Sequence, residues 1–476
     1  MKHTILVLIC LASLTCVFSQ EEKKAWSLQQ CIEYALQNNI QVKQNRLNAR
    51  LSEASLLQNK MQMLPSLNGS VSNSYNSGQR VDPFTNQFVA GDWTQSQNYS
   101  LNANAILFGG FQVLNTIKQN KYDLQASEQD ILKTQNDISL NIASAYLQIL
   151  FSQELLATSK SQADITKLQL DRTQKLVDVG NLPKGSLLDM QAQMASEDVN
   201  IVNAENNLSI SKLNLIQMLN LDSADSFSIV VPEITMPSET VINSTADQIY
   251  QAALAKQPEI KSSELKLMSS EKGVSIAQAG RYPRLSLNAS YGTGYSGARK
   301  QLIGTPILKT FTPNGSITGS GDLVYEPIFD ATYETTPLNT QLQNNINRSV
   351  GLFLNVPLFN NLQTSTAITR AKINRENAAL SLQLQKDNLK KNIQQAYNNA
   401  YSSLKKYEAS KKAVDAMEES FKYTEQKYNV GATNTTEYND SKNKLNKAKS
   451  DLLQAKYDYV FKLKVLDFYQ GKTISL

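Results

Sequence analysis

The side chains that carry most enzyme chemistry are scarce in this sequence. There is one histidine, His3, and there are three cysteines, Cys10, Cys16 and Cys31, in 476 residues. Three of these four fall in a segment that reads as an export signal. Lys2 and His3 give a short polar start, Ile5 to Phe18 is an apolar run, and Val17-Phe18-Ser19 suits cleavage, so residues 1–19 are expected to be removed. The run is too short to span a bilayer. Ser13-Leu14-Thr15 lacks the aliphatic residue a lipoprotein signal places three before its cysteine, so lipidation at Cys16 is not expected. The remaining chain has no histidine and one thiol. That excludes a His-based metal site, a Ser-His-Asp triad, a Cys-His pair and an internal disulfide. Cys31 falls on an apolar position of a predicted helix and reads as a small buried hydrophobe. Carboxylates are left, and two of them suffice for glycoside hydrolysis. An enzyme is therefore the least supported reading, and no catalytic, cofactor or metal site is expected.

The net charge of +5 is small and dispersed. Lysines alternate with acids along predicted helices, the pattern of a solvated face. No basic block is interleaved with aromatics, which speaks against nucleic acid. Beyond the signal no run of apolar residues is long enough for a membrane-spanning helix.

The elements that must position any site come from a duplication. Ser27-Leu28-Gln29-Gln30 and Thr245-Ala246-Asp247-Gln248 are capping-box openings 218 positions apart, and Pro65 and Pro283 keep that spacing. Leu107-Phe108-Gly109 matches Leu358-Phe359-Asn360, and Val179-Gly180 matches Val430-Gly431, both at 251. The first repeat covers 20–245 and the second 246–476. Each reads as helix, strand, loop, strand, long helix, turn, helix. The opening helices are expected at about 28–62 and 247–280, the strands at 65–75, 98–108, 283–293 and 349–359. Long helices follow at 111–178 and 361–428, turns at 179–186 and 429–436, and return helices at 186–219 and 437–468. The second copy carries 33 extra residues within 296–347, a Gly/Thr/Pro/Asn-rich stretch with loop composition. Each long helix would be roughly 100 Å at 1.5 Å per residue and needs a coiled-coil partner. A return helix stacked on an opening helix would match that length.

The strands alternate. Tyr99, Leu101, Ala103, Ala105 and Leu107 share one face, and Ser100, Asn102 and Asn104 the other. Val350, Leu352, Leu354, Val356 and Leu358 line a face of the last strand. This length and pattern suit a tilted membrane strand with one lipid face. They equally suit a soluble sheet packed on helices. Four strands cannot close a barrel, and open edges are forbidden in lipid, so the membrane reading requires an oligomer, and a trimer would supply twelve strands.

The ordered set of motifs resembles a family. Trp-Ser-Leu from Trp26, the strand starts at Leu64-Pro65 and Tyr282-Pro283, Leu-Phe-Gly-Gly at 107–110, Pro-Leu-Phe-Asn-Asn at 357–361 and the two Val-Gly turns are similar to the TolC-like outer membrane factors over about 26–470. The resemblance implies a mainly α protein with a small membrane β-barrel. Its internally duplicated protomer of long coiled-coil helices plus four strands would trimerise into a 12-stranded barrel and an α-helical tunnel. It implies a location in the outer membrane, reaching into the periplasm, and as partners an adaptor, an inner-membrane pump and outer membrane lipid.

The resemblance also implies site residues. Pro65 and Pro283 would mark the helix-to-strand transitions. The turns, Gly180, Asn181, Leu182 and Gly431, Ala432, Thr433, would meet the adaptor or pump. The family carries an acidic pair three residues apart after the second turn, and Glu437 and Asp440 hold those places. On one helix face, repeated by threefold symmetry, they would form carboxylate rings that concentrate cations. The same acids also suit the helix dipole at an N-terminal turn. Asp189 would add to the lining. Tyr428 matches a tyrosine of the family's closed gate, but Thr433 stands where its arginine would be. The function implied is passive conduction from a pump to the exterior, in small-molecule efflux or alternatively in type I protein secretion. A non-channel periplasmic coiled-coil adaptor is the reading of another class.

Overall fold

The computed structural model describes residues 25–91, 93–221, 227–232, 244–472 and 474. The expected signal, 1–19, and most of the link between the copies lie outside the described residues.

The first copy runs α1 (Leu28–Asn38), α2 (Ile40–Met61), β1 (Ser66–Asn76), a short β2–β3 ladder (Arg80–Val81 with Phe88–Val89), β4 (Thr94–Gly109), α3 (Gln112–Asp178) and α4 (Lys184–Leu219). The second runs α5 (Ala246–Lys256), α6 (Pro258–Ala279), β5 (Arg284–Ser296), β6 (Lys300–Ile317), β7 (Leu323–Thr335), α7 (Leu338–Asn344), β8 (Asn347–Asn355), α8 (Gln363–Asn429) and α9 (Thr435–Tyr469). Both capping boxes form: the Ser27 and Thr245 hydroxyls accept from the backbone N–H of Gln30 and Gln248, whose side chains reach back to the cap N–H. The long helices α3 and α8 have 67 residues each.

The opening helices are not continuous. Each breaks once, at Asn39 and at Gln257, both extended. Asn39 caps the next helix by accepting from Gln41 N–H, and Pro258 disfavours helix at Gln257. The break serves packing. The end of α4 meets the first break, where the Asn39 amide reaches the Met218 carbonyl and the Asn220 amide reaches that of Asn38. The end of α9 meets the second, through Lys256 Nζ on the Gln470 carbonyl at 3.2 Å. Each return helix therefore abuts the second half of its opening helix, 22 residues long, and not the whole of it.

The described residues form two compact units. One holds the described residues of Met1–Glu53, Tyr122–Met268 and Glu376–Leu476. It contains two apolar clusters built from equivalent positions. Cys31, Ala35 and Val42 pack with Ile142, Ile149 and Leu215. Ile249, Ala253 and Ile260 pack with Ile393, Ala400 and Leu466. These pairs keep the spacings of 218 and 251 residue for residue. Cys31 is wholly buried, which pushes its thiol up to about 12.

The other unit comprises Ala54–Lys121 and Ser269–Arg375 and contains all the strands. Helices α2 and α6 stop four residues before Pro65 and Pro283, and each strand starts on the residue after its proline. The last turns are closed by i−3 bonds such as Leu64 N–H to the Met61 carbonyl. The prolines thus start the strands, while tight turns end the helices. The sheet is antiparallel in the order β1-β4-β5-β8. Its register sorts the side chains. Rows such as Leu67–Ala103–Ala289–Val350 lie on one face, and Asn68–Asn102–Ser290–Ser349 on the other. A β-bulge at Ile106/Phe108 makes Leu107 the extra residue and gives its expected place on the apolar face to Phe108, opposite Leu285. The stretch 296–347 is not a loop. Most of it is the β6–β7 hairpin, whose alternation is hidden in the sequence by bulges around Gly304, Lys309 and Gly315.

Candidate functional site

Two places in the molecule collect polar side chains with a shared geometry. The first is the Ser/Asn face of the sheet. Ser70 and Ser100 hydroxyls meet at 2.7 Å, as do those of Ser290 and Ser349, and the Asn104 amide donates to Asn288. These are short side chains bonded across strands, so the face stays wettable without bulk. The opposite face is bare and apolar: Leu67, Val71, Val350, Leu352 and Leu354 are 65–77% exposed. A sheet with this much unburied apolar area on one side needs a cover of lipid or protein.

The second place is the pair of helix turns. After α3, Gly180 sits at φ +79 and the Asn181 N–H closes onto the Leu176 carbonyl at 2.8 Å. After α8, Gly431 sits at φ +76 and the Ala432 N–H closes onto the Lys427 carbonyl at 2.8 Å. Both are left-handed caps with a 6→1 bond, a conformation glycine adopts without penalty. Leu182 also closes onto the Leu176 carbonyl. Helix α9 then starts from Asn434, whose side chain accepts from Glu437 N–H at 2.8 Å. Sequence reasoning passed over Val179 and Val430, which are 70% and 79% exposed at equivalent points of the two turns. The valine of each Val-Gly pair was the available signal.

Glu437 and Asp440 come to one exposed face of α9, with Tyr438 and Asn439 turned inward. Neither acid is bare. Glu437 accepts from the Thr433 hydroxyl, and Asp440 pairs with Lys444 at 2.6 Å on the solvent side. Thr433 therefore serves the acid of its own turn. Asp189 is exposed on another helix, early in α4.

Tyr428 joins the two hairpins. Its ring stacks on Tyr438 at 4.6 Å, and its hydroxyl lies 3.5 Å from that of Thr173 on α3. Next to it the Arg172 guanidinium donates to the Asn429 side chain at 2.5 Å. Tyr438 is fully buried and its hydroxyl has no partner among the described residues. Burial, with Glu425 and Tyr428 nearby, pushes that phenol up to about 12.

Deeper between the hairpins lies a node that no motif or spacing announces. Lys442 reads as part of a solvated charged face, yet it is 2% exposed, and Glu197 is 3% exposed. Lys442 Nζ donates to Thr166 Oγ1 at 2.5 Å. Thr166 approaches Glu197 at 3.5 Å, and Gln193 donates to the same carboxylate at 2.9 Å. Burial lowers the Lys442 ammonium to about 8, partly offset by Glu197. The node ties α3 and α4 of the first copy to α9 of the second.

The arrangement is a wettable sheet face, two glycine-capped helix turns and an acidic helix start. The outer membrane efflux protein family matches residues 31–221 and 249–472. The outer membrane protein TolC of Escherichia coli K12 is 23% identical over 392 residues, covering 78% of this chain and 71% of its own. The Toxin and drug export protein A of Aggregatibacter actinomycetemcomitans is 25% identical, covering 81% and 87%. The outer membrane protein VceC of Vibrio cholerae shares the fold with a TM-score of 0.74 at 16% identity, over 94% of this chain and 96% of that one. The chain belongs to the outer membrane efflux protein family, a family of transport channels, and is an outer membrane export channel extending into the periplasm.

Proposed function

We propose that three copies form the channel, and that it conducts small molecules passively from a periplasmic adaptor and inner-membrane pump to the exterior. The observation that carries this reading is the four-stranded sheet. It has an apolar face, a Ser/Asn face and two open edges, β1 and β8. Unpaired edges are untenable in lipid, and three sheets of four close into a barrel whose Ser/Asn faces line a wet lumen. The turns at Gly180, Asn181, Leu182 and at Gly431, Ala432, Thr433 are the docking points for adaptor or pump. The exposed Val179 and Val430 beside them supply apolar contact.

In the trimer Glu437 and Asp440 form rings at the periplasmic mouth, with Asp189 adding to the lining. Tyr428, held by Thr173 and Tyr438, fixes the resting spacing of the two hairpins. Adaptor binding shifts the population toward the open spacing. Glu437→Gln with Asp440→Asn is expected to lower cation selectivity severalfold in bilayer recordings; unchanged reversal potentials would remove these acids from the pore.

Dye retention in cells lacking the protein tests the substrate class. Retention that rises and is restored by the gene supports small-molecule efflux. Normal dye retention with loss of a secreted protein supports the second reading, protein export.

A further inference from the structure

The β6–β7 hairpin is longer than any strand pair of the sheet, and most of its residues are exposed beyond the base. Register gives it two unlike faces. Strand β7 is regular, so alternate residues mark the sides. One side carries Tyr325, Phe329 and Tyr333 opposite Pro313, Leu308 and Leu302, with Phe311 opposite Pro327. These large side chains are 45–62% exposed. The other side carries Glu326, Asp330 and Glu334 among threonines, interrupted by Ile303, Ile307 and Ile328.

The base is clamped. The Gln341 side chain bonds both N–H and C=O of Ser296 and the Thr336 carbonyl. Asp82, wholly buried, accepts from Ser296, Phe84 and Thr85. A two-stranded hairpin so mounted is marginal in water by itself, and its apolar side spans about 40 Å by 10 Å, or roughly 400 Å², at the limit of what a soluble surface leaves bare.

What covers it follows from symmetry and length. Lipid is out of reach. Strand β5 has 13 residues before the hairpin begins. Tilted about 40°, that already fills the ~25 Å apolar band. Within the trimer of the proposed function, on which this inference rests, each copy has one apolar hairpin face. Three identical faces can bury like against like only around the threefold axis. The reach is modest: a 12-stranded barrel has a radius of about 12 Å, so each hairpin leans inward by about 6 Å to bring faces to the usual ~10 Å sheet spacing. We propose that the three β6–β7 hairpins pack their aromatic faces together on the channel axis, forming an apolar cluster over the extracellular mouth whose partner is two further copies of this chain. The three faces together bury about 1,200 Å², or about 400 Å² per pair of copies, too little to hold free copies together and therefore an addition to the interface the barrel already makes.

The test is thiol cross-linking of the full-length protein in intact cells. Among the described residues Cys31 is buried, and Cys10 and Cys16 fall in the expected export signal, so an introduced cysteine is the reactive one. Phe329→Cys, on the aromatic side, is expected to give covalent dimers with a short bismaleimide at least fivefold more than Asp330→Cys, on the other side. Equal yields, or no dimer from a protein whose native mass is still that of a trimer, would overturn the cluster and leave the trimer standing. A native mass of one chain would sink the trimer and the cluster together. Quenching of a fluorophore on Phe329→Cys by brominated lipid would assign the face to the membrane instead and overturn the proposal. Replacing 300–335 with two glycines should at least double conductance in planar bilayers with the trimeric mass unchanged; unaltered conductance would overturn the axial placement.

Discussion

Individual side chains set testable terms at the node between the hairpins. Lys442 keeps its proton only to about pH 8 when folded, because it is buried, and to its ordinary 10.5 when unfolded. Between these values the unfolded chain binds the extra proton, so stability rises with pH across that window, by about 3 kcal/mol in total. Denaturant unfolding from pH 7.5 to 10.5 should show the rise, and Lys442→Met should abolish it. Lys442→Met alone leaves Glu197 buried without its cation and is expected to cost about 3 kcal/mol, while adding Glu197→Gln should recover most of it. Two buried tyrosines make a second contrast. The Tyr146 hydroxyl lies within reach of the Trp26 and Val230 carbonyls, whereas that of Tyr438 has no partner among the described residues. Tyr146→Phe should cost about 1–2 kcal/mol and Tyr438→Phe nothing or less, read as a shift in unfolding midpoint. None of this was legible beforehand. Lys442 looks like its exposed neighbours because charge patterning along one helix says nothing about which face meets a second hairpin.

At the scale of elements, the turns depend on backbone conformation rather than contact. A Cβ at Gly180 or Gly431 would meet nothing within 4 Å, yet both residues have positive φ. Gly→Ala at either site should therefore cost about 1–2 kcal/mol of local stability and Gly431→Asn only a few tenths, as read by amide exchange at the tips. Elements were the most readable level. The capping boxes, the two 67-residue helices, the four sheet strands and the glycine turns all follow from local residue types whose conformational preference agrees with the fold. The failures have local causes too. Asn39 breaks a helix by capping another, an ambiguity of asparagine that no spacing resolves. Pro258 was a signal for the second break that the reading of one helix over 247–280 passed over. The β6–β7 hairpin was missed because bulges shift its alternation out of phase, so its glycines and prolines read as loop.

The molecule as a whole shows its duplication in two cores built from matched positions, and its incompleteness in a sheet that cannot close alone. The duplication was readable because equal spacings survive in the residues that pack. The roles proposed for the acidic face, Tyr428 and the Ser/Asn face came only with the family resemblance, since the proposed pore would belong to three chains and no single chain encodes its axis. The central claim is that this chain becomes a conduit only by threefold assembly. Planar-bilayer recording of purified protein of known native mass tests it most directly. The account predicts long-lived conductance steps from a particle three chains in mass, and none from dissociated chains. A trimer without conductance, or conductance from a single chain, would contradict it.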